Sequence, residues 1–175
     1  GRTYQKIAGV DCWFECNFSS EMPELNYDNP EVRQAMLDVA KYYLDLGVDG
    51  FRFDAVKYIY YGDTEQSVAF WEWYMEELRK IDPDVYVVGE CWSGESEILA
   101  YYGAMNCFNF AVSQAEGMMA STAKGNSMSK YTSYMANYQK KVLEANPEGM
   151  VMSFLSNHDM DRIGGAFILD SNMRM

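Results

Sequence analysis

Three short stretches of this 175-residue chain end in groups able to move protons or carry charge in a reaction. They are Phe51-Arg52-Phe53-Asp54, Val88-Gly89-Glu90 and Leu155-Ser156-Asn157-His158-Asp159, each following an apolar run that reads as a strand. In a parallel α/β barrel the C-terminal strand ends converge on one face, where such enzymes place their active sites, so three carboxylates would meet in one pocket. Cleaving a glycosidic bond needs a carboxylic acid to protonate the leaving oxygen and a carboxylate to meet the oxocarbenium-like centre. Retaining enzymes hold these two groups about 5 to 5.5 Å apart. Neighbouring strands lie about 4.8 Å apart, so Asp54 and Glu90 on adjacent strand ends can satisfy that spacing. Arg52, two residues before Asp54, points to the same face and would support its charge, while Glu90 needs a raised pKa to keep its proton.

Singly, each residue has a plainer reading. A carboxylate after a strand caps a helix or joins a loop salt bridge, Arg52 serves as a buried ion-pair partner, and His158, the only histidine, packs in a core. The ensemble on successive strand ends favours the chemical reading.

The elements that must position these groups are legible from capping and periodicity. Residues 1–29 read as irregular. Asn29 as N-cap, Pro30 at the first helical position and Glu31 at the positive end start a helix that Gly47 stops. Val32, Met36, Val39, Ala40 and Tyr43 form its apolar stripe. A strand follows over Val48 to Asp54, then a helix over Glu65 to Ile81 with Val68, Trp71, Met75 and Leu78 on one face, stopped by Asp82-Pro83. Val85 to Val88 reads as a strand buried on both faces. Further strands are expected over Asn106 to Val112 and Met150 to Leu155, separated by a helix over Met128 to Glu144. This alternation predicts right-handed βαβ units on a parallel sheet.

Composition narrows the partners. With 26 acidic and 14 basic residues the formal charge is −12, which repels phosphate backbones and argues against nucleic acid. A neutral sugar pays no such cost. No apolar run reaches the roughly 18 to 20 residues of a membrane span, and no leader is visible at the start. Cys12, Cys16, Cys91 and Cys107 read as buried or free thiols rather than metal ligands, with a Cys12–Cys16 pairing open.

The motifs resemble those of the alpha-amylase family of glycoside hydrolases. Gly50-Phe51-Arg52-Phe53-Asp54-Ala55-Val56-Lys57 is similar to that family's nucleophile motif, and Gly89-Glu90-Cys91-Trp92 to its proton-donor motif. Phe154-Leu155-Ser156-Asn157-His158-Asp159 is similar to the motif supplying a third acid, and Met22-Pro23-Glu24-Leu25-Asn26 to a short motif near the end of the inserted domain B. All four occur in family order. The resemblance implies a retaining enzyme in which Asp54 is nucleophile, Glu90 proton donor and Asp159 the third acid. It also implies that Arg52 orients Asp54, that His158 binds sugar hydroxyls with Asp159, and that Lys57, Tyr58 and Trp92 lie on the leaving-group side.

The implied fold is a partial (β/α)8 TIM barrel covering about strands 4 to 7, with residues 1–29 as the end of domain B and residues 30–175 in the barrel. A complete barrel takes about 250 residues, so the chain alone is expected to be inactive. No cofactor is implied for the chemistry. A structural calcium is implied only through the Tyr58 backbone carbonyl, because Tyr58 stands where many relatives have histidine. Glu24 replaces the usual Asp of the short motif, which bears on subgroup. The expected substrate is a starch-type alpha-1,4-glucan or maltooligosaccharide, with an extracellular or cell-surface location following from that polymer. An alpha-glucosidase, cyclomaltodextrinase or transglycosylase of the same family stays open, as does a non-catalytic amylase-like binding subunit.

Overall fold

The computed structural model describes residues 1–160, divided into a compact unit of residues 1–90 and a second that begins at Cys91. The first unit runs β1 (Tyr4–Lys6), β2 (Trp13–Glu15), α1 (Pro30–Asp45), β3 (Gly50–Phe53), α2 (Thr64–Ile81) and β4 (Tyr86–Gly89).

Helix α1 begins and ends as its sequence dictates. The Asn29 side chain accepts the Glu31 N–H at 2.9 Å. At the other end Gly47 takes φ +92°, a conformation open to glycine without steric cost. The Gly47 N–H bonds the Leu44 carbonyl at 2.9 Å and the Val48 N–H bonds the Tyr43 carbonyl at 3.2 Å, completing a Schellman stop. The buried face differs from the expected stripe. Leu37 and Ala40 are buried, whereas Val39 and Tyr43 are exposed. The helix contacts α2, and the Tyr74 hydroxyl of α2 donates to the Met36 carbonyl at 2.7 Å, so it is this neighbour that selects the face.

Helix α2 follows expectation more closely. Trp71, Met75 and Leu78 are all buried, and Asp63 caps the start by accepting the Gln66 N–H at 3.0 Å. Full burial of such side chains is worth about 1.5–3 kcal/mol each. Strands β3 and β4 pair in parallel, with Gly50 opposite Tyr86 and Phe53 opposite Gly89. Asp54 and Glu90 therefore leave the sheet from the same rung. The expected two-sided burial of β4 holds for Val87 and Val88 but not for Tyr86, which is exposed.

Residues 1–29 are not wholly irregular. β1 and β2 form an antiparallel hairpin, Tyr4 opposite Glu15 and Lys6 opposite Trp13, with Gly9 at φ +81° in the connection. Strands of three residues are too short for alternation to announce them.

The second unit runs α3 (Glu95–Ala100), β5 (Asn106–Cys107), α4 (Met118–Ala123) and α5 (Met128–Ala145). The Ser127 hydroxyl oxygen caps α5 by accepting the Lys130 N–H at 3.3 Å, and Lys141 ties α5 to Glu95 of α3. The long strand expected over Asn106 to Val112 is only two residues. Asn109 turns the chain by accepting the Ala111 N–H on its side chain, offering the backbone a partner other than a strand. The strand expected over Met150 to Leu155 reduces to one parallel bridge between Phe108 and Met152. Beside it, the Asn109 N–H reaches the Met152 carbonyl at 2.9 Å and the Gln114 N–H reaches the Leu155 carbonyl at 3.0 Å.

All four cysteines are free thiols, so the Cys12–Cys16 pairing is not formed. Cys12 is exposed and Cys16, Cys91 and Cys107 are buried. Among the described residues no helix is long and apolar enough to cross a membrane.

Candidate active site

The centre of the site is one guanidinium shared by two carboxylates. Arg52 lies third in β3, and strand alternation puts it on the same face as Asp54. Its Nη1 contacts Asp54 Oδ1, and its Nη2 lies 3.4 Å from Glu90 Oε1. The pairing of β3 with β4 delivers Glu90 to this point, since the Glu90 N–H bonds the Phe53 carbonyl at 2.8 Å and extends the ladder past β4.

A turn after Asp54 completes the attachment. Ala55 adopts φ +46°, ψ +45°, the left-handed region that costs a non-glycine residue about 1–2 kcal/mol. In this conformation its N–H points at the Glu90 carboxylate, 3.2 Å from Oε2, while the Val56 N–H reaches the Glu90 carbonyl at 3.0 Å. Residues 56–58 then form a single 3₁₀ turn.

The two acids occupy unlike surroundings. The Asp54 side chain is 71% exposed and that of Glu90 only 8%. Burial pushes the Glu90 carboxyl above its ordinary value; the Ala55 N–H and the Arg52 charge pull it back, and Asp54 raises it again by its charge and by a hydrogen bond between the carboxyls. Glu90 thus holds its proton more tightly than an ordinary glutamate, beside the exposed Asp54 side chain. A pair held this way can donate a proton from one member and a nucleophilic oxygen from the other.

The other expected site residues fall as follows. The Lys57 ammonium lies 5.8 Å from the centroid of the Tyr58 ring. Tyr58 stacks on Tyr61 at 4.7 Å and meets the exposed ring of Phe18 at 5.1 Å, tilted by 59°. In the second unit Trp92, 40% exposed, stacks on Phe110 at 5.0 Å. His158 and Asp159 pair with each other, Nε2 to Oδ2 at 3.1 Å, and both are exposed. Among the described residues no group of three or more His, Cys, Asp or Glu side chains could hold a metal, so the Tyr58 carbonyl is not joined by such a cluster.

Two contributors are invisible in the sequence. An alanine in the left-handed region has no signature, because glycine or asparagine is the usual mark of one. Phe18 lies far from the acidic motifs in sequence, and only folding brings its ring to Tyr58.

Comparison with known proteins gives the family. The family model described as alpha amylase, catalytic domain, matches residues 5–175. Alpha-amylase 3 of Dictyoglomus thermophilum is 37% identical over 161 residues, covering 91% of this chain and 31% of that protein. A 4-alpha-glucanotransferase of Thermotoga neapolitana is 30% identical over 147 residues, covering 83% of this chain and 30% of its own length. Among solved structures, Eubacterium rectale Amy13B superposes with a TM-score of 0.85 at 28% identity, over 93% of this chain and 33% of that one. The alpha-amylase from H. orenii gives a TM-score of 0.77 at 31% identity, over 92% and 33%. The chain spans about a third of the length of these relatives. It belongs to the alpha-amylase family, matching the family's catalytic domain from residue 5 onward.

Proposed function

We propose that the protein carrying this chain is a retaining glycoside hydrolase acting on alpha-1,4-glucosidic bonds of starch-type glucans. The observation that carries the reading is the unequal pair: buried Glu90 and exposed Asp54, from the same rung of a parallel strand pair, on one arginine. In the first half-reaction Glu90 protonates the glycosidic oxygen as Asp54 attacks the anomeric carbon. The carbon–oxygen bond breaks, the shortened glucan leaves with its new hydroxyl, and a glycosyl ester forms on Asp54. In the second, the Glu90 carboxylate takes a proton from water, which attacks the same carbon and frees Asp54. Two inversions return the alpha configuration.

Asp159 and His158 are assigned to hydroxyls of the distorted sugar, gripping harder as the transition state forms. Lys57, Tyr58 and Trp92 are assigned to the leaving-group side. In this reading the chain supplies about barrel strands 4 to 7, with residues 1–29 as the end of the inserted domain. Extracellular or cell-surface action follows from a polymeric substrate. No step uses a metal, and a calcium held partly by the Tyr58 carbonyl would be structural.

The similarity to a 4-alpha-glucanotransferase brings in a second reading, in which another sugar replaces water in the second half-reaction. Proton NMR of the product from soluble starch tests the main one in the whole protein. Alpha product appearing first supports the covalent route, and beta product appearing first refutes it. Longer glucans formed from a maltooligosaccharide would favour transfer. No product from either substrate would leave the non-catalytic binding reading in place.

A further inference from the structure

The turn after Asp54 is strained at Ala55 and needs a fixed point outside the two strand ends it joins. Helix α2 provides one. The buried Trp71 indole N–H donates to the Val56 carbonyl at 2.8 Å, and the same ring packs on Phe53 at 4.8 Å between centroids. Trp71 therefore touches the residue before Asp54 and the residue after Ala55. Val56 is held at both of its backbone polar groups: its N–H is on the Glu90 carbonyl and its C=O on the indole, with its side chain fully buried.

We propose that Trp71 is a positioning residue for the carboxylate pair, its indole N–H locking the left-handed turn that aims the Ala55 N–H at Glu90. This rests on the reading of Glu90 as proton donor. It extends that reading to a side chain in the core of α2 that touches no substrate. The Ala55 N–H stabilises the ionised form of Glu90, so loosening the turn weakens one of the two groups that hold down its proton affinity. Among the described residues, the charged groups facing Glu90 are Arg52 and Asp54, both from the end of β3.

The test uses the whole protein. Trp71→Phe keeps an aromatic ring against Phe53 and removes the N–H. The expected result is a fall in kcat of roughly tenfold, with KM within about twofold and the alkaline limb of the kcat/KM profile displaced upward by about half a pH unit or more. Adding Ala55→Gly to Trp71→Phe should return the limb and most of kcat, because glycine holds a positive φ without the strap. An unmoved limb overturns the proposal, whatever happens to kcat or melting temperature, and so does a double variant no better than Trp71→Phe. A carbon-13 NMR titration of the Glu90 carboxyl in the same variants reads the strap without catalysis. If Glu90→Gln left turnover intact, the acid role would fail, yet a Glu90 titration displaced by Trp71→Phe would still uphold the strap and an unmoved one would overturn it.

Discussion

Asp54 and Glu90 touch the same Arg52 guanidinium, yet the side chain of Asp54 is 71% exposed and that of Glu90 only 8%. Two acids on one cation come to differ because water reaches one of them and hardly reaches the other. Burial costs the charged form of Glu90 its hydration, so its proton is held more tightly.

Removing the titratable proton should therefore remove catalysis and one limb of its pH dependence. In the whole protein, Glu90→Gln is expected to lower kcat on starch by roughly 10²- to 10⁴-fold while glucan binding persists. The alkaline limb of kcat/KM should lie above the ordinary glutamate value of about 4.3 in the wild type and be absent in the variant. Unchanged turnover would end the assignment of Glu90.

The same burial has a consequence for stability. The folded-state pKa of Glu90 is raised, so below the unfolded value both states keep the proton and the folded state bears no ionisation cost. Between the unfolded value and the raised folded value the unfolded chain ionises first, and stability is lost as pH rises through that window. Glu90→Gln removes this loss. The difference in melting temperature between variant and wild type should shift in the variant's favour from pH 4 to pH 7; a constant difference would contradict it.

Gly50 lies against the Tyr86 backbone so closely that an added Cβ would stand 2.0 Å from the Tyr86 carbonyl oxygen. That approach sets the rung from which Asp54 and Glu90 both emerge. Gly50→Ala should cost about 3 kcal/mol, the upper end for overpacking, and depress turnover by displacing β3 along β4. A urea midpoint equal to wild type would show that the contact is not needed.

The exposed Phe18 ring, supported by Tyr58 and behind it Tyr61, presents an aromatic surface of the kind that sugar faces stack on. Loss of one such contact is worth about 0.5–1.5 kcal/mol. Phe18→Ala should raise KM for maltooligosaccharides by roughly 2- to 12-fold with kcat little changed. A variant KM equal to that of the wild type on both short and long maltooligosaccharides would remove Phe18 from the binding surface.

Capping offers a control remote from catalysis. Asn29→Ala should lower stability by about 1 kcal/mol, read from the urea midpoint, without altering the pH profile.

Much of this arrangement is written locally. Asn29, Pro30 and Gly47 bound α1 because a cap and a positive-φ stop act through neighbouring backbone groups, and Asp82-Pro83 ends α2 for the same reason. Strand alternation alone puts Arg52 and Asp54 on one face, and the ordered motifs identify Glu90 as their partner. Tertiary structure decided the rest. Leu37 rather than Val39 is buried on α1 because α2 packs there. The hairpin of β1 and β2 depends on a pairing that neither three-residue strand announces. Ala55 takes a left-handed turn because Glu90 and Trp71 bond the residues around it, and Glu90 differs from Asp54 because the fold buries one and not the other. Caps and alternation depend on residues a few positions apart, whereas burial and proton affinity depend on whatever distant chain arrives beside them.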